Sequence, residues 1–203
     1  MPTSETHPVL AETRAWVERA VIGLNLCPFA KGPQAKGQVR YALSDATDTD
    51  ALLADLVAEL QRLADTAIEQ TETTLLVHPF VLGDFIDYNH FLDRAERAVA
   101  RLGLEGVIQV ASFHPQYQFA GTDERDVSNA TNRSPYATLH LIREASIDRA
   151  VAAFPEADAI FEANIATMQR LGAEGWARLQ QQCREDAETG REDGPGRRAV
   201  TTR

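Results

Sequence analysis

Apolar positions along the chain alternate between helical and strand spacing, and the alternation sets the expected order of elements. Leu10, Trp16, Val17, Ala20, Val21 and Leu24 lie at helical intervals, and Gly23 or Asn25 can end that helix in a left-handed conformation. Residues 38–43 place Val39, Tyr41 and Leu43 on one side, the period of a strand. Leu52, Leu53, Leu56, Val57, Leu60, Leu63 and Ala64 then form a helical stripe behind a cap at Asp48 or Thr49. Residues 73–77 are a short apolar run suited to a second strand. A further helix follows, capped by Asp84, with Tyr88, Phe91, Leu92, Ala95, Val99 and Leu102 on its inner face and Gly103 as its stop.

Residues 107–113 and 137–142 read as third and fourth strands, and helices are expected from about 147, over 156–171 and over 174–184, divided by Pro155 and Gly172. Two helical crossovers between the first three strands favour parallel connections. The expected fold is therefore α/β, with α+β as the alternative: one domain over residues 9–184 with a small, mostly parallel, four-stranded mixed sheet. Residues 1–8 are expected to be a flexible arm, and residues 185–203, which have little to bury, a disordered tail.

Between the last two strands, residues 112–136 form a connection far longer than the usual four to six or so residues. The segment is rich in groups that seek burial (Phe113, Tyr117, Phe119, Tyr136) and in polar groups (His114, Gln118, Asn129, Asn132, Arg133), which points to an ordered, functional loop. The neighbouring loop over 31–37 holds both lysines of the chain, Lys31 and Lys36, and reads as mobile or ligand-covering.

Charge narrows the partners. A net charge of −10, with no basic stripe, argues against a nucleic-acid surface but leaves room for an anionic small ligand held by a few placed cations. With no apolar run of membrane length and no charged-then-apolar leader, the expected location is the cytoplasm. Two distant cysteines, Cys27 and Cys183, suit a reducing compartment.

Three reactive residues each precede a proline: Cys27, His78 and His114. Proline stiffens its predecessor into an extended conformation, which either pre-organises a site or simply terminates an element. His78 and His114 end strands that parallel topology brings to one rim of the sheet, where ligands of such sheets bind. Cys27 is expected to join them, as nucleophile with a histidine base or as one ligand of a Cys–His–His set for zinc or iron. Asp84 is a cap that can also act as a base or orient His78. Arg133 is placed as a clamp for a substrate carboxylate or phosphate, with Asn132, Gln118, Asn89 and Lys31 as further contacts. The alternatives are a packed thiol at Cys27 and a loop in which Arg133 and the amides bond their own backbone. His140, between Leu139 and Leu141, reads as a core histidine or one that orients a ligand.

The segments VIGLNLCPFA (21–30), HPFVLGDFIDYNHFL (78–92), ASFHPQYQFAGT (111–122) and TNRSPYATLHLIREAS (131–146) resemble a bacterial family known only as domain of unknown function 1415. The likeness covers roughly residues 10–180 and implies a soluble bacterial protein; it carries no activity, cofactor or catalytic residue. The leading expectation is an enzyme acting on a small, anionic metabolite at the Cys27, His78 and His114 site. The alternative is a non-catalytic module that binds a small ligand or metal, or a protein-interaction subunit.

Overall fold

The computed structural model describes residues 7–153 and 159–189. Helix α1 (Pro8–Trp16) runs on as a π-helical segment, Val17–Ile22, and is followed by a short α2 (Lys31–Ala35). Then come β1 (Val39–Leu43), α3 (Thr49–Asp65), β2 (Thr73–Val77), α4 (Phe85–Arg101) and β3 (Ile108–Phe113). A 3-10 segment, Val127–Asn132, leads to β4 (Thr138–Arg143), α5 (Glu144–Ala153) and α6 (Ala159–Thr189).

The result is a single α+β domain around a four-stranded mixed sheet of order β1-β2-β4-β3. β1 and β2 pair in parallel, whereas β4 pairs antiparallel with both β2 and β3. Three strands thus share a direction, as the crossovers require, but β2 and β3 are not neighbours because β4 is inserted between them.

Helices cover both faces, and strand parity assigns each residue to one of them. On one side Leu52, Leu56, Leu60 and Leu63 of α3 and Tyr88, Phe91 and Ala95 of α4 pack on Ala42, Leu76, Leu139 and Leu141. The four α3 leucines are fully buried, which stabilises the fold by about 1.5–3 kcal/mol each before entropy is counted. On the other side α1, the π-helical segment and α6 supply Leu10, Trp16, Val17, Met168, Trp176 and Cys183 against Tyr41, Leu75 and Val77.

Local chemistry fixes the element ends. Asp48 accepts from the amides of Asp50 and Ala51 at 2.9 and 2.8 Å, and Asp84 does the same for Ile86 and Asp87 at 2.8 and 3.1 Å. Asn25 takes the left-handed conformation (φ 55°) after the first helix. Gly23 is helical instead, and glycine is needed there because a Cβ would lie 2.3 Å from the Arg19 carbonyl oxygen.

Some boundaries differ from expectation. Residues 31–35 form a helical turn rather than a loop. α6 continues to Thr189, five residues beyond Arg184, because Cys183 and Ala187 are buried and Arg19 forms a two-pronged ion pair with Asp186. Gly172 kinks this helix at φ 69°. His7 and Pro8 cap and open α1, so they belong to the helix and not to an arm. Residues 1–6 and 190–203, the rest of the expected arm and tail, lie outside the described residues.

Candidate functional site

The two proline-flanked histidines stand together at one end of the sheet, on the α3 and α4 side. The rings of His78 and His114 lie 5.7 and 5.1 Å from that of Tyr88, and Phe85 lies 5.5 Å from His114. Tyr88 is fully buried; its hydroxyl donates to the Thr138 carbonyl at 2.8 Å and accepts the Phe113 amide at 3.2 Å, where β3 and β4 part.

Both imidazoles are engaged by the loop before α4. His78 Nδ1 is 3.2 Å from the Val81 carbonyl, which can only accept, so Nδ1 carries the proton. His114 Nδ1 accepts the Gln116 amide at 3.1 Å, leaving Nε2–H to donate to the Leu82 carbonyl at 3.1 Å. Leu82 is held at φ 58°, a left-handed conformation that costs a leucine about 1–2 kcal/mol. Burial lowers the pKa of His114 and pushes that of His78 down to about 4. The His78 Nε2 lone pair is buried with no partner among the described residues.

Cys27 is not with them. It lines a hollow against Leu75, Ala111, Phe113 and His140, on the opposite face of the sheet from Tyr88. The physical reason is parity: Leu75 and Val77 face the α1 side, so His78, one residue on, turns to the α4 side. Both nitrogens of His114 are also occupied, and among the described residues no three His, Cys, Asp or Glu side chains converge as metal ligands. The expected Cys27, His78 and His114 convergence is therefore absent.

The expected substrate contacts are turned inward or stand apart. Arg133 donates from Nε to the Tyr117 carbonyl (3.0 Å) and from Nη2 to that of Glu124 (2.8 Å). Gln118 donates to the Thr122 carbonyl at 2.7 Å, and Asn132 reaches the Ser112 carbonyl at 3.4 Å. Fully buried Asn129 accepts from the Phe119 amide and the Thr122 hydroxyl and donates to the Asp123 carbonyl. The long loop is thus ordered by bonds to itself, with Arg133 and the amides on their own backbone. Asp84 serves as a cap, and Asn89 and Lys31 are exposed on α4 and α2.

What the structure presents in place of the trio is the hollow at Cys27. It encloses about 250 Å³, with walls of carbon from Trp16, Val21, Phe29, Phe113 and Ile147. The π-helical segment contributes Val17 and Val21, and such segments recur at functional sites. Burial pushes the Cys27 thiol up, against bonds from the Phe29 and Ala30 amides, so the group stays protonated. A larger hollow of about 370 Å³ beside β1 is lined by Asp45 and by charged groups that are engaged: Arg40 with Glu59 at 2.7 and 2.9 Å, and Asp55 with Ser44 at 2.5 Å.

His140 shares the Cys27 pocket. The Thr73 hydroxyl donates to the Leu141 carbonyl at 2.7 Å, so the 2.7 Å contact between Thr73 and His140 Nε2 requires the proton on Nε2. Burial pushes this imidazole down to about 4. Flanked by leucines in the sequence, His140 reads as a core histidine or one that orients a ligand, not as part of a pocket wall. The signal lay in the same alternation: Leu139 and Leu141 fill the α3 side, so His140 and Ile142 must face the other layer.

Among the described residues no helix is long and apolar enough to cross a membrane. Neither a curated protein nor a solved structure matches the chain. The family model described as protein of unknown function (DUF1415) matches residues 8–178, and the chain belongs to that family.

Proposed function

We propose that this protein binds a small, largely apolar molecule in the pocket between Cys27 and His140. The observation that carries the reading is a carbon-walled hollow of about 250 Å³ bordered by one π-helical segment and a few polar atoms. Its size falls below the roughly 300–1,000 Å³ of pockets for drug-sized ligands, which favours a compact ligand. A binding module fits this geometry better than an enzyme for anionic metabolites, because Arg133 and its neighbouring amides are committed to the loop. The two free cysteines support action in a reducing compartment such as the cytoplasm.

A thermal-shift series of small aromatic and aliphatic compounds tests the proposal, since a ligand bound only by the native state raises the melting temperature. Apolar compounds should stabilise the wild type and leave Ala111→Trp, in which an indole occupies the pocket floor, unchanged. Equal shifts in both proteins would place binding elsewhere and refute the reading.

A further inference from the structure

We infer that the ligand of this pocket is a neutral, mostly apolar molecule carrying one hydrogen-bond donor, received by Nδ1 of His140. The inference rests on the pocket being a binding site and names what that site selects. Thr73 fixes the tautomer: its single hydroxyl proton goes to the Leu141 carbonyl, Nε2–H of His140 points at Thr73 Oγ1, and Nδ1 is left as a bare acceptor. Nδ1 has no partner among the described residues and, unlike His78 Nε2, is not sealed from the surface. His140 lines the hollow, so that opening is toward the pocket.

The other polar groups there do not invite an anion. The Thr73 hydroxyl is engaged, burial keeps the Cys27 thiol protonated and uncharged, and Glu72 is a carboxylate paired with Arg149 at 3.0 Å. Ser146 accepts from the same arginine at 3.1 Å. A ligand carboxylate would face the His140 lone pair and the Glu72 charge, with no free cation among the described residues of the wall. A hydroxyl or N–H on an apolar frame meets the open Nδ1 acceptor of His140 instead. Because a neutral imidazole is required, binding is weakened by protonation, and burial keeps this ring neutral down to about pH 4.

The test is a matched series, 2-naphthol, naphthalene and 2-naphthoate, titrated at pH 7.5 with Trp16 in the pocket wall as the fluorescence reporter. One neutral hydrogen bond predicts naphthol binding roughly tenfold tighter than naphthalene, with naphthoate weakest. His140→Leu should bring naphthol level with naphthalene while naphthalene binding survives. Equal affinities for naphthol and naphthalene in the wild type, or tightest binding of naphthoate, would overturn the donor rule while leaving the pocket reading intact. Binding of none of the three would overturn both.

Discussion

Replacing His78 with phenylalanine should flatten the acid limb of the protein's stability curve. In the native state this imidazole is fully buried, donates to the Val81 carbonyl from Nδ1 and has a sealed Nε2, so a second proton would enter a site where none of the described residues accepts it. Its pKa falls from the usual 6.5 to about 4, chiefly by burial, with His114 adding to the effect. The sign follows from proton counting: below pH 6.5 the unfolded chain binds a proton that the folded chain refuses, so stability is full above that pH and falls as pH drops toward 4. With one pKa unit worth about 1.4 kcal/mol, the loss between pH 7 and pH 4.5 is about 2 kcal/mol from this residue alone. Urea unfolding followed by tryptophan fluorescence at both pH values measures it. The wild type should lose about 2 kcal/mol more than His78→Phe over the interval. Equal losses in the two proteins would mean that the ring is already solvated or charged in the native state, and would refute the burial account.

Other perturbations give equally direct readings. Tyr88→Phe leaves the Thr138 carbonyl and Phe113 amide without their hydroxyl partner and should cost about 1–3 kcal/mol in urea unfolding; a cost near zero would show that the hydroxyl is not bridging. Gly23→Ala puts a methyl group against the Arg19 carbonyl at the end of the π-helical segment, and should destabilise by about 1–3 kcal/mol, checked by calorimetry. Alkylation should distinguish the two thiols at pH 8, because Cys27 opens on the pocket whereas Cys183 is buried and pushed up to about 11. Cys27 should react first, slowly, and more slowly still with a pocket ligand present; faster reaction at Cys183 would contradict the packing of α6 on α1.

Much of the fold was legible because local signals and periodicity agreed. Residues 73–77 are a strand with the bounds their apolar run implies, and Asp48 and Asp84 cap the helices they precede. The site was less legible for reasons of geometry. Proline after Cys27, His78 and His114 does mark element ends, but an element end says nothing about which face of the sheet a side chain joins. That depended on α1 covering the Leu75 and Val77 side and α4 the other, a tertiary fact no local pattern carries. The π-helical segment was invisible for a similar reason: its apolar positions fit an α-helix until the clash-free approach of Gly23 to Arg19 is seen in three dimensions. In the long loop, amide and guanidinium side chains look alike whether they hold a ligand or their own backbone. Only the bonds of Arg133 and Asn129 decide between the two.

The central claim is that the Cys27 and His140 hollow is a binding site, and calorimetric titration with 2-naphthol tests it most directly. Saturable one-to-one binding with a negative heat-capacity change, as burial of apolar surface requires, is the predicted result for the wild type, with no measurable heat of binding in Ala111→Trp. Binding of undiminished affinity in the filled-pocket variant, or none in either protein, would contradict the account.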